Sequence, residues 1–269
     1  MSSDTGHARA ADGTRIIYRL YRNSDTAPRI ALVHSLAMDH TFWQPVVERL
    51  SGIASVLIYD CRGHGTSDKP AGPYTTSLFA RDLASLMDHV GWPSAVVAGA
   101  SMGGCVSLAF AADFPQRTNG LGLIDTTAWY GADAPAQWEQ RAQRALKEGL
   151  KDLIDFQVTR WFGDAFRATH KDVVQHCVDV FLANDLRAYA ETCRMLGTND
   201  LRGALTDIAC PTTVIVGEED YAAPPAMAQT MHEGIRNSRY VLIEKARHLT
   251  PLEVPERIAS ELTMLLKGK

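Results

Sequence analysis

Apolar positions along the chain fall into short consecutive runs that alternate with stretches of helical period. Thr14–Tyr21 (TRIIYRLY) and Arg29–Val33 (RIALV) read as the first strands, and the turn-rich RNSDTAP between them predicts a hairpin-like entry. Strand Ser55–Tyr59, helix Ser77–Val90, strand Ala95–Ala98, helix Met102–Asp113 and strand Gly120–Ile124 follow. These strands are apolar on successive positions, the mark of burial on both faces and therefore of a mainly parallel sheet with helices on either side. Residues 130–200 carry helical periodicity only, and the spacing predicts a helical insertion there. The alternation then resumes with strand Thr212–Val216, helix Ala226–Ile235, strand Tyr240–Ile243 and helix Pro255–Leu266, whose proline stands in its first turn.

Composition narrows the class. The 269 residues are 46% hydrophobic and 22% charged, enough for one large core, so the expected organisation is residues 1–129 and 201–269 as a single α/β core with 130–200 inserted. Its net charge of −4, without a Lys/Arg block, disfavours a nucleic-acid partner. No run is long and apolar enough to span a bilayer, and MSSDTGHARAADG lacks the pattern of a signal peptide, so a cytoplasmic location without a membrane partner is expected. Homo-oligomer formation is left open. Cys61, Cys105, Cys177, Cys193 and Cys210 are odd in number, with no CxxC pair and no histidine at ligand spacing, so free thiols and no metal are expected.

The chemistry is concentrated at VVAGASMGGCVSLAF. Gly99-Ala100-Ser101-Met102-Gly103 matches G-x-S-x-G between a predicted strand and a predicted helix, the setting of a nucleophile elbow. A serine hydroxyl needs a base oriented by a carboxylate. Asp220 in GEEDYAAPP and His248 in EKARHLTPLEVP each follow a predicted strand, in the chain order Ser, Asp, His. Asp125 in LIDTT, after the next strand beyond Ser101, is a competing acid. An oxyanion would need N–H donors, and the candidates are Met102, directly after the serine, and Leu36 in the loop HSLAMDHTFW, with His34 bracing that loop. The segment DCRGHGTS, residues 60–67, gathers Asp, Cys and His, but its glycine spacing suits a tight structural loop.

HSLAMDHTFW, YDCRGHGTSDKP, GASMGG, GEEDYAAPP and ARHLTPLEVPE, in that order, resemble the α/β-hydrolase superfamily. RWFGDAF, AETCRMLGTNDLR and HSL followed by Asp39 resemble the bacterial 3-oxoadipate enol-lactonases, apart from Ala37, where those proteins usually carry glycine. The resemblance implies an α/β-hydrolase fold with a helical cap, and a cofactor-free hydrolase of a small ester or lactone using Ser101, His248 and Asp220. The alternatives are C–C bond hydrolysis of a ring-cleavage product, or a ligand-binding homologue without turnover. Trp129, Trp138 and Trp161 are candidates for an apolar pocket wall, with Phe162 beside them. Arg160 and Arg194 are candidates for holding a substrate carboxylate.

Overall fold

The computed structural model describes residues 2–268. The chain runs through β1 (Ser2–Arg9), β2 (Arg15–Arg22), β3 (Arg29–Val33), α1 (Gln44–Leu50), β4 (Ser55–Tyr59), α2 (Thr76–His89), β5 (Ala95–Ala100), α3 (Met102–Asp113) and β6 (Thr118–Ile124). Helices alone then occupy the next stretch: α4 (Ala134–Glu148), α5 (Ile154–Trp161), α6 (Asp164–Thr169), α7 (Lys171–Leu182) and α8 (Leu186–Thr198). Next come β7 (Thr212–Gly217), α9 (Pro225–Gly234), β8 (Ser238–Ile243), α10 (Thr250–Glu253) and α11 (Pro255–Leu266).

Eight strands form one sheet in the order β1-β2-β4-β3-β5-β6-β7-β8, antiparallel at the β1/β2 and β2/β4 pairings and parallel beyond. Strands β4, β5 and β7 are buried at every residue, as expected where crossover helices cover both faces. Helix α3 is buried from Met102 to Ala111; its composition of small and apolar residues on all sides, without an amphipathic stripe, suits that position.

The expected hairpin between the first two predicted strands does not form. β2 pairs with β1 on one side and β4 on the other, while β3 lies beyond β4. The hairpin is instead β1–β2, in register from Ser2↔Arg22 to Arg9↔Arg15. β1 escaped the sequence pattern because it is an edge strand: SSDTGHAR is mostly solvent-exposed, and such a strand needs few apolar residues.

The topology also fixes where a ligand can bind. From β3 the chain passes to β4 on one side, then returns to place β5 on the other. Loops leaving adjacent strands in opposite directions open a crevice at their carboxyl ends. Ser101 follows β5, and the loop holding Leu36 follows β3, so both border that crevice. The helical stretch leaves and rejoins the sheet at one point. Trp129 and Asp200 form an antiparallel bridge, Leu201 N–H donates to the Ala128 carbonyl (2.9 Å), and Asn199 Nδ2 donates to the same oxygen (3.1 Å). Among the described residues no helix is long and apolar enough to cross a membrane.

Candidate active site

Ser101 sits at the turn from β5 into α3 with φ 54 and ψ −118, a conformation that side chains rarely adopt and that costs on the order of 1–3 kcal/mol. The surroundings hold it there. Ser101 N–H donates to the Ile124 carbonyl (2.9 Å), and its own carbonyl accepts from Thr126 Oγ1 (2.7 Å). The flanking glycines are required by contact: a Cβ on Gly99 would strike the Gly103 carbonyl, and one on Gly103 would strike the carbonyls of Val33 and His34. Close packing of β3, β5 and α3 is thus what turns the serine outward.

His248 Nε2 lies 2.9 Å from Ser101 Oγ, and His248 Nδ1 lies 2.8 Å from Asp220 Oδ2. Because a carboxylate can only accept, Nδ1 carries the proton and Nε2 is left to accept from the serine hydroxyl. The other Asp220 oxygen accepts the N–H groups of Ala222 (2.7 Å) and Ala223 (2.9 Å), so both carboxylate oxygens are occupied. All three residues are at most 6% exposed. Asp125 does not reach this relay. Its Oδ1 accepts Gly217 N–H (3.1 Å), and its Oδ2 accepts both the N–H (3.0 Å) and the hydroxyl (2.6 Å) of Thr250. It therefore ties the start of the Asp220 loop to the end of the His248 loop. Burial, and then the nearby Asp220 charge, raise its pKa well above the usual carboxylate range.

Leu36 lines the same cavity as Ser101, and Met102 N–H opens α3. Among the described residues neither N–H is paired with an acceptor, leaving both donors for a ligand. Ala37, next to Leu36, is fully buried with φ 58, so the alanine at this place takes the left-handed conformation that glycine adopts more easily. Its carbonyl accepts from Asn184 Nδ2 at the end of α7 (2.9 Å), which ties the helical stretch to this loop. His34 braces the strand end below: Nδ1 donates to the Ser35 carbonyl (2.8 Å) and Nε2 accepts Cys61 N–H (3.0 Å). In residues 60–67, Asp60 accepts from His40 and Thr66, and Arg62 pairs with Asp82 and Asp12. Among the described residues no three His, Cys, Asp or Glu side chains are grouped to hold a metal.

The cavity over Ser101 is small, about 60 Å³, and its roof comes from α4 and α5. Trp138, Trp161 and Arg160 line it. Phe162 is buried behind, its ring stacked on Phe166. Two other candidates lie elsewhere. Trp129 is part of the neck bridge and is covered by the Arg202 guanidinium, 3.7 Å from its ring centre. Arg194 is on the far side of α8, bound to Glu139 (2.7 Å) and Glu191, because carboxylates on neighbouring turns and on α4 compete for it. Five lining residues are not among the candidates: Ser35 and Ala222, which flank Leu36 and Asp220 in their loops, and Tyr130, Arg141 and Gln157 from the helical stretch and its approach. For Arg141 and Gln157 a signal exists in the sequence. Arg141 falls on the stripe Ala134, Trp138, Ala142, Ala145 and Gln157 falls on Leu153, Gln157, Trp161, so each is a polar residue on the inward face of its helix.

Residues 28–255 match the model of the alpha/beta hydrolase fold family. The chain belongs to that family. Within it, the protein is 30% identical over 257 residues to 3-oxoadipate enol-lactonase 2 of Acinetobacter baylyi, covering 96% of this chain and 95% of that one. The crystal structure of the enol-lactonase from Burkholderia xenovorans LB400 superposes with a TM-score of 0.93 at 34% identity, over 97% of this chain and all of that one. A thermophilic esterase from Thermogutta terrifontis, with malate bound, gives 0.91 at 28% identity over 98% of each chain.

Proposed function

We propose that this alpha/beta hydrolase cleaves a small carboxylic ester or lactone, of the 3-oxoadipate enol-lactone type, through an acyl-enzyme on Ser101. The observation that carries the reading is the continuous relay from Asp220 through His248 to a serine hydroxyl that faces a small pocket. The likeness to enol-lactonases and to an esterase supports the substrate class. In the first step Ser101 Oγ attacks the carbonyl carbon and His248 Nε2 takes the hydroxyl proton, while Asp220 stabilises the resulting imidazolium. The carbonyl oxygen becomes an oxyanion held by the Leu36 and Met102 N–H groups. Collapse breaks the ester C–O bond, and His248 returns the proton to the leaving oxygen. In a lactone that oxygen stays tethered to the acyl group, so nothing departs until water, deprotonated by His248, hydrolyses the acyl-enzyme. Residues 130–200 act as the cap that roofs the pocket, the substrate is a small molecule, and the cell compartment is the cytoplasm.

The test is hydrolysis of 3-oxoadipate enol-lactone beside 4-nitrophenyl acetate. Wild type should turn over both, and Ser101→Ala should lose several orders of magnitude in kcat on each while its thermal unfolding is unchanged. A Ser101→Ala protein with near-wild-type rates would overturn the assignment.

A further inference from the structure

Arg247, the residue before His248, has only 11% of its side chain exposed, and its guanidinium joins three parts of the molecule. Its Nη1 donates to the carbonyls of Thr159 (2.8 Å) and Phe162 (3.1 Å) at the end of α5 and stands 3.0 Å from Asp164 Oδ1 at the start of α6. Its Nε donates to Glu219 (3.3 Å), and the guanidinium lies over the ring of Tyr221, 5.4 Å from its centre. The residues on either side of Asp220 are thus held by the same group. The main chain repeats the pattern. Arg247 N–H donates to Glu253 Oε2 (2.9 Å), whose other oxygen accepts Gly163 N–H (2.8 Å), and Leu249 N–H donates to the Trp161 carbonyl (3.0 Å). Both neighbours of His248 therefore grip the segment 159–164, in which Trp161 lines the cavity over Ser101.

The last carbonyls of a helix have no intrahelical donor, and a cation placed there satisfies them and meets the negative end of the helix dipole. At Thr159 the replacement is direct: the N–H four residues on, that of Gly163, is turned to Glu253, and Arg247 takes its place. A guanidinium suits such a node because it spreads its donors over a rigid plane, where a lysine would gather them on one nitrogen. A general base must keep its nitrogen within hydrogen-bond reach of the nucleophile, and a misplacement of about 1 Å costs about a hundredfold in rate. We infer that Arg247 is a positioning residue for the hydrolysis: it makes the roof at α5 and the base at His248 one rigid body, so that Nε2 keeps its place against Ser101 only while α5 is seated over the pocket. The inference rests on the hydrolase reading above and adds to it a cause of selectivity by size. A roof bound to the base loop cannot rise to admit a long acyl chain without unseating the base.

The experiment follows 4-nitrophenyl acetate and 4-nitrophenyl hexanoate on wild type, Arg247→Lys, Arg247→Gln and, as a reference, Arg194→Gln, which breaks ion pairs with Glu139 and Glu191 away from the pocket. Rates are taken per active site, counted by titration with diethyl 4-nitrophenyl phosphate, so that unfolded molecules do not enter. Arg247→Gln should lower kcat on the acetate roughly tenfold to a hundredfold and on the hexanoate less, so that the acetate-to-hexanoate ratio of kcat/KM falls. Arg247→Lys should lie between Gln and wild type. Arg194→Gln should keep the wild-type kcat and ratio even where its Tm drops. A wild-type kcat or an unchanged chain-length ratio in Arg247→Gln, or an equal loss in Arg194→Gln, would overturn the inference and leave the hydrolase reading intact. A wild type that neither turns over the esters nor reacts with the phosphate overturns both. Should Arg247→Gln misfold, amide hydrogen exchange of wild type decides: Gly163 and Leu249, one N–H from each side of the joint, should share protection of roughly a thousandfold or more. Exchange of either at close to the unprotected rate would show that roof and base part freely, and the inference would fall.

Discussion

Two buried aspartates stand beside the His248 loop, and exchanging each for asparagine should damage different properties. In Asp220→Asn the amide oxygen can still accept the Ala222 and Ala223 N–H groups, so the loop keeps its shape. The amide nitrogen now faces His248 Nδ1 and can only donate, which moves the imidazole proton to Nε2 and points it at Ser101 Oγ. The serine proton then has no acceptor. Such a tautomer change costs about 10⁴ in kcat, or about 5.5 kcal/mol in the barrier, with little effect on unfolding. Asp125→Asn is the mirror case. Asp125 accepts on both oxygens, from Gly217 on one and from Thr250 on the other, and an amide has only one oxygen, so its NH₂ must face a donor. A buried donor left without an acceptor costs about 1–3 kcal/mol, which for a chain of this size lowers Tm by about 2–10 °C. Turnover, with the relay intact, should stay within about tenfold. Steady-state hydrolysis of a chromogenic ester and differential scanning calorimetry on both variants give the answer. An Asp125→Asn enzyme that is inactive yet thermally normal, beside an active Asp220→Asn enzyme, would transfer the acid's role to Asp125.

Acid should unfold the protein earlier than its carboxylates alone require. Burial, and after it His34, lower the His64 pKa from 6.5 to about 3, and burial likewise lowers that of His34. The unfolded chain therefore binds more protons than the native one below pH 6.5, and stability should fall by about 1.4 kcal/mol per pH unit for His64 as pH drops from 6.5 toward 4.5, with His34 adding to the loss in the same direction. Urea midpoints at pH 7.5, 5.5 and 4.5 measure it, and a flat series would show that these rings are not buried neutral. Ala37→Gly should be neutral or stabilising by up to about 1 kcal/mol, because relief of the left-handed strain at φ 58 exceeds the added entropy of the unfolded chain. A loss of more than 1 kcal/mol, the ordinary result of replacing a buried alanine, would mean that Ala37 is not strained.

How far the residues alone lead depends on whether a feature is local. Ser101 is legible because its requirements, glycine at 99 and 103 and a strand-to-helix setting, are all written within a few positions. The strands that cross the middle of the sheet are legible for a similar reason, since burial on both faces leaves an unbroken apolar run. The choice between Asp220 and Asp125 is not local. Both follow parallel strands, both are buried, and only the register of β6 against β7 sends one toward His248 and the other toward Thr250. Arg194 and Arg141 show a different gap: each is an arginine on an amphipathic helix, and identity says nothing about which face is inward. The phase of the surrounding apolar residues does, and it selects Arg141. Strand β1 stays silent because half of its hydrogen bonds face solvent and its side chains have little to bury against.

The bridge between Trp129 and Asp200 bears on how this molecule can change. With the two limbs of the helical stretch pinned side by side, the sheet experiences everything between them as it would a tight turn. Lengthening or shortening the loops between α4 and α8 should shift neither β6 nor β7, since loop closure is already met at the neck and further residues add little entropic cost. The Asp220 and His248 loops rest on the sheet, whereas Arg141, Trp138 and Trp161 ride on the helical stretch. Under the proposed function, selectivity and bond-breaking sit on different stretches of chain that touch at a few bonds, among them Asn184 to the Ala37 carbonyl (2.9 Å) and Leu249 N–H to the Trp161 carbonyl (3.0 Å), so transplanting residues 130–199 between relatives that keep those contacts should carry substrate preference with it while the relay at Ser101 stays where it is.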